Sequence, residues 1–221
     1  MRPYLFLHIP RTGGTSIANI LPAGRSTGVQ INKLISVGFK NKNGNSFQHA
    51  TLDDFPTSTD NLFKFTFVRN PWDRVVSVFE HQVRSCRTSF TIKNRTTGDI
   101  VDLNPTQRFS AFIIKLKEAW ANGSINTSWD GHLMPQILYT HNEEKRQVVD
   151  YIGRFETMKQ DLDNLNNLCE WNLQDINIPH LNKSSEKQNH YKNYYHQGNG
   201  VAKEIIYQLY RDEIELYGYK F

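Results

Sequence analysis

The chain has 221 residues, enough for a single compact domain with a real core over 1–221. Hydrophobic residues make up 38% and charged residues 22%, with no apolar run of 18 or more, which argues against both a disordered chain and a membrane-spanning one. A net charge of +4 suits an anionic partner such as a nucleotide, an acidic glycan, nucleic acid or anionic lipid, and only the placement of the basic residues can choose among them.

Met1-Arg2-Pro3 runs directly into Tyr4 to Ile9, an apolar stretch too short for a signal-peptide core. The expectation is a cytoplasmic protein, with a trimmed luminal domain as the alternative. The sequons at Asn94, Asn122, Asn126 and Asn182 do not by themselves establish secretory passage. Cys86 and Cys169 form neither a CxxC nor a Cys/His cluster at zinc spacing, so no metal site and no disulfide framework is expected.

Residues 4 to 9 read as a strand buried on both faces of a parallel sheet, ending in Pro10-Arg11-Thr12-Gly13-Gly14-Thr15-Ser16 and a helix start. The run 62 to 68 repeats that grammar, ending at Arg69-Asn70-Pro71 before a helix over about 72 to 84. Residues 85 to 104 are polar and aperiodic and read as a surface loop or insertion. Asn104-Pro105 starts a helix with Phe109, Phe112, Ile113, Leu116 and Trp120 at helical spacing, stopped by Asn122-Gly123. A short strand over 148 to 155, a helix bearing Met158, Leu162, Leu165 and Cys169, and a closing helix near 201 to 217 complete the pattern. Alternating strands and helices predict a three-layer α/β domain around a mainly parallel sheet.

Gly13 and Gly14 sit where the backbone must turn tightly, with Thr15 and Ser16 in the first helical turn and Arg11 supplying a full charge. Exposed N–H groups and the helix dipole favour an anion at such a P-loop-like loop, although a plain capping turn has the same residues. It is not a Walker A loop, because G-x-x-x-x-G-K-[ST] is missing, and this disfavours a magnesium-dependent kinase. Arg69 at a strand end and Ser77 on the next helix could grip a second phosphate. His81, four residues after Ser77, shares its helix face and is the candidate general base, with His132 as its competitor and His8 and His49 read as packing or polar-network residues.

Phe6 to Ser16 resembles the 5′-phosphosulfate loop, and Phe67 to Ser77 the 3′-phosphate motif, of the PAPS-dependent sulfotransferases of carbohydrate type. The resemblance continues through His132-Leu133-Met134-Pro135-Gln136, Gly153-Arg154-Phe155-Glu156, His180 to Ser184 and Tyr217 to Phe221, and so spans nearly the whole chain. It implies PAPS as sulfuryl donor, PAP as product, a hydroxyl acceptor such as a glycan, and neither metal nor nucleic acid. Donor contacts would come from Arg11, Thr12, Gly13, Gly14, Thr15, Ser16, Arg69, Ser77, Lys183 and Ser184. His132 and Gln136 would touch the acceptor, and heparan 6-O-type members imply the catalytic role of His81. Arg11 stands where the family loop usually carries Lys; a guanidinium also supplies the charge that the departing phosphate needs. Two other functions stay open: a non-catalytic binder of PAP or polyanions, and, less favoured, a small P-loop kinase. The tyrosines 191, 194 and 195 among Lys187, His190 and Lys192 could bind a glycan or nucleic acid, or simply pack on the core.

Overall fold

A computed structural model describes residues 2–21, 49–55, 59–84, 91–93, 100–127, 131–174, 176–178, 191–196 and 200–221. In chain order these hold β1 (Tyr4–Leu7), α1 (Gly14–Ile20), β2 (Phe63–Val68), α2 (Pro71–Arg84), β3 (Thr91–Lys93), β4 (Ile100–Asp102) and α3 (Pro105–Ala121). There follow α4 (Ile137–Thr140), β5 (Tyr151–Arg154), α5 (Met158–Leu168), α6 (Lys192–Tyr195), α7 (Val201–Leu209) and α8 (Arg211–Tyr217). The chain divides into two compact units, Met1–Asn70 with Asn126–Asn182, and Pro71–Ile125 with Lys183–Phe221.

The first unit carries the expected α/β character as a small parallel sheet in the order β1-β2-β5. Its register sets Phe6 opposite Phe65 and Phe67 opposite Gly153. Because side chains alternate along a strand, Tyr4, Phe6, Phe63, Phe65 and Phe67 enter one cluster with Ile17 of α1, Leu162 and Leu165 of α5, and Trp171. Leu5 and Leu7 point the other way, into a cluster with Ala50 and Val149. Burial on both faces is what makes these strands read as continuous apolar runs rather than alternating ones. Gly153 is required by packing, since a Cβ there would sit 2.6 Å from the Phe67 ring.

The strands are shorter than the apolar runs that announce them. β1 stops at Leu7, where the Thr66 hydroxyl donates to the Leu7 carbonyl at 2.6 Å and occupies that acceptor. β5 begins only at Tyr151; just before it, Asp150 makes two bonds of 2.7 Å to Lys64, one through its backbone N–H and one accepted by its carboxylate.

In the second unit, Phe79 of α2 packs between Phe109 and Phe112 of α3, at ring-centroid distances of 5.2 and 5.4 Å. Asn104 caps α3 as its sequence predicts: its side chain accepts from the Gln107 N–H, and Gln107 reaches back to the Asn104 N–H. Two expectations are corrected here. Part of the 85–104 stretch is an antiparallel pair, Thr91 opposite Asp102 and Lys93 opposite Ile100, whose three-residue strands are too short to show a period of two. The closing helix is divided at Tyr210, whose backbone (φ −114°, ψ 22°) leaves the helical range while its ring is buried against Trp120 at 5.1 Å.

Of the tyrosine cluster, Tyr191 and Tyr195 are core and Tyr194 is half-buried, while Lys187 and His190 lie outside the described residues. Tyr191 and Tyr195 are buried around Phe221, the Tyr195 hydroxyl donates to the Trp72 carbonyl at 2.9 Å, and the Tyr194 hydroxyl donates to Glu80 at 3.0 Å. Among the described residues no helix is long and apolar enough to cross a membrane.

Candidate functional site

The loop after β1 is shaped by two residues with left-handed backbone, Arg11 (φ 66°) and Gly13 (φ 83°). For arginine that conformation costs roughly 1–2 kcal/mol, so the surrounding structure must hold it. Both glycines are also close approaches: a Cβ on Gly13 would run into the Met158 methyl, and one on Gly14 would run into the His8 ring. Gly13 is the N-cap of α1 and offers no side-chain cap, so the first-turn N–H groups receive no side-chain acceptor from it. Thr12 is fully buried with its hydroxyl donating to the Ile9 carbonyl at 2.9 Å, which makes that side chain a brace of the turn. Ser16 is buried and Thr15 exposed.

Arg69, immediately after β2, binds this loop directly. Its Nη1 donates to the Arg11 carbonyl at 3.0 Å, and its guanidinium lies 4.1 Å over the Phe155 ring. The corner is held from two further sides. Gln136 is fully buried; its Oε1 accepts from the Arg69 N–H at 2.8 Å and its Nε2 donates to the Arg69 carbonyl at 2.9 Å. The Glu156 carboxylate accepts from the Asn70 N–H at 2.7 Å. Gln136 therefore has no surface to offer an acceptor, whereas its sequence assignment was to acceptor contact. Phe155 and Glu156 carried no assigned role, although both belong to the quoted 153–156 motif.

Three histidines meet beside the loop. The His49 ring stands edge-on to His8 at 4.9 Å and to His132 at 5.1 Å between centroids. His49 Nδ1 lies 3.1 Å from the His8 carbonyl, an acceptor, so Nδ1 is the nitrogen that donates there. The Tyr139 hydroxyl donates to the His49 carbonyl at 3.0 Å. Burial, then the charges of His49, His132 and Arg11, hold His8 well below the ordinary histidine range. His49, read from sequence as a packing or polar-network residue, has its partners 41 and 83 positions away along the chain.

In the second unit, Ser77 is buried on α2 and His81 is half-buried one turn further along the same helix. Arg74, fully buried on α2, is paired with the equally buried Glu213 of α8 at 3.9 Å and so serves that unit's interior. Lys183 and Ser184 lie outside the described residues. Among the described residues, no group of three or more His, Cys, Asp and Glu side chains is arranged to hold a metal ion.

No curated protein and no solved structure matches the chain in the corresponding comparisons. A model of the sulfotransferase family matches residues 3–220, from the first strand through the last helix and its C-terminal flank, and includes every element of the loop and corner described above. The chain thus belongs to the sulfotransferase family, whose common chemistry is sulfuryl transfer.

Proposed function

We propose that the protein transfers the sulfuryl group of PAPS to a hydroxyl of an acceptor, a glycan being the class that the resemblance of its two motifs to the carbohydrate-type enzymes implies. The observation that carries this reading is the bond from Arg69 to the Arg11 carbonyl: within one unit it joins the loop after β1 to the strand-end arginine of the second motif. A left-handed loop backed by glycines, with first-turn N–H groups, Arg11 and a nearly buried Arg69, is a fitting set of donors for such an anion.

In this reading Arg11 and the loop amides face the 5′-phosphosulfate and Arg69 faces the 3′-phosphate; for Ser77, Lys183 and Ser184 a donor contact rests on the sequence resemblance alone. The acceptor oxygen attacks sulfur in line, the bond from sulfur to the bridging oxygen breaks, and that oxygen leaves on the 5′-phosphate of PAP. Positive charge on Arg11 stabilises the departing oxygen, which needs charge more than a proton. The acceptor proton goes to a histidine. His81 is the candidate from helix spacing. A specific observation favours His49 instead: its ring is oriented by the Nδ1 contact to the His8 carbonyl, and it touches His8, which packs on Gly14 of the loop. His132, in edge contact with His49, remains the residue for acceptor contact.

Titration calorimetry with PAP, and separately with ATP and magnesium, each with and without EDTA, tests the reading. Metal-independent micromolar PAP binding, followed by transfer of labelled sulfate to a glycan panel, is the expected result. Preference for magnesium ATP would favour a kinase, and PAP affinity without turnover would favour a non-catalytic binder.

A further inference from the structure

We propose that Gln136 is a positioning residue for donor binding: by holding the Arg69 backbone at both its N–H and its carbonyl, it fixes where the Arg69 guanidinium stands. This rests on the donor-site reading above. A buried carboxamide is one of the few side chains able to accept from and donate to the same residue at once, with bonds of 2.8 and 2.9 Å to one peptide position. Residue 69 lies just beyond β2, where the ladder to β5 ends at Val68 opposite Arg154, so the sheet itself no longer supplies those two bonds. Gln136 continues the strand's hydrogen bonding by one residue, acting as a side-chain substitute for a neighbouring strand. The guanidinium is then set by two further contacts, the Arg11 carbonyl and the Phe155 face, both in reach only if the backbone at 69 is fixed.

The consequence is coupling: loss of Gln136 should weaken PAP binding only through Arg69. The experiment is calorimetric PAP titration of wild type, Gln136→Met, Arg69→Ala and the double variant, with thermal melts to verify folding. Gln136→Met keeps the side-chain length and removes both hydrogen bonds. We expect it to weaken PAP binding about tenfold or more, the scale of one or two lost buried bonds, and to add little further loss on Arg69→Ala. Gln136→Glu supplies a second test that survives a poorly folding Met variant. As a carboxylate it accepts from the Arg69 N–H but repels the carbonyl; once protonated it regains the donor. Burial beside a carbonyl raises this carboxyl above its ordinary value of about 4.3, so its PAP affinity, taken relative to wild type at the same pH, should recover as pH falls from about 7.5 to about 4. Wild-type affinity in Gln136→Met, an equal loss in the Arg69→Ala background, or no recovery of Gln136→Glu at low pH would each overturn this role alone. Absence of PAP binding by the folded wild type would instead overturn the donor-site reading, and this role with it.

Discussion

The guanidinium of Arg69 donates to the carbonyl of Arg11 across 58 positions of sequence, so the strand-end cation also braces the left-handed residue of the loop. One side chain thereby serves both motifs, and its planar shape matters as much as its charge, since it stacks on Phe155 while donating at its edge. Lysine can supply a charge but neither the face nor the fork. We expect Arg69→Lys to weaken PAP binding by about tenfold or more, on the scale of a charge-assisted hydrogen bond, and Arg69→Ala to weaken it further. Calorimetry on both folded variants checks this; wild-type affinity in Arg69→Lys would show that charge alone suffices.

A second pair is wholly structural. Arg74 and Glu213 are each about 1% exposed, and removing one leaves the other charged in a dry interior. Arg74→Met should cost about 3–5 kcal/mol in denaturant unfolding, and adding Glu213→Leu should restore most of it, because a buried charge that has lost its opposite charge costs more than the pair contributes. A loss below about 1 kcal/mol in the single variant would mean that water or another group reaches Glu213.

What was legible in the sequence is what local chemistry dictates. Asn104-Pro105 with Gln107 announces the start of α3, and the apolar runs before Arg11 and Arg69 announce β1 and β2. The break at Tyr210 was not legible, because no Gly or Pro marks it and the ring contact found there is with Trp120, 90 residues earlier. Nor was the role of Gln136, whose two bonds span 67 positions and whose fully buried carboxamide looks in sequence like any polar residue near an acceptor motif. His49 reads in sequence as a packing or polar-network residue, and a base role for it comes into view only when the fold brings His8 and His132 to its ring.

Stability should fall on mild acidification, and His8 should carry part of that fall. Burial first, then nearby positive charge, lowers its affinity for a proton in the folded state, so it stays neutral there while the unfolded chain protonates near pH 6.5. Below that pH the unfolded state binds more protons, and stability decreases as pH drops until the folded-state value is reached; above it both states are neutral and the effect vanishes. His141, lowered by burial, acts in the same direction. The slope of unfolding free energy between pH 6.5 and 5 should thus be shallower in His8→Asn than in wild type, by at most about 1.4 kcal/mol per pH unit. Parallel slopes would mean that His8 titrates in the fold as it does in the open chain.

The base is decided by chemistry that a structural histidine would not share. His49 is oriented by its Nδ1 contact to the His8 carbonyl, and it sits in the unit that holds the loop; His81 is argued from its spacing to Ser77 on α2. If His49 takes the acceptor proton, His49→Ala should lower kcat by roughly 10² to 10⁴ while PAP affinity stays within a few fold of wild type. His81→Ala should then have the smaller effect on kcat. Added imidazole should restore part of the lost rate in His49→Ala and leave His81→Ala unchanged, because only a missing proton acceptor is replaced by a soluble one. The reverse pattern, with rescue confined to His81→Ala, would return the role to α2 and leave His49 as a brace for His8 and His132.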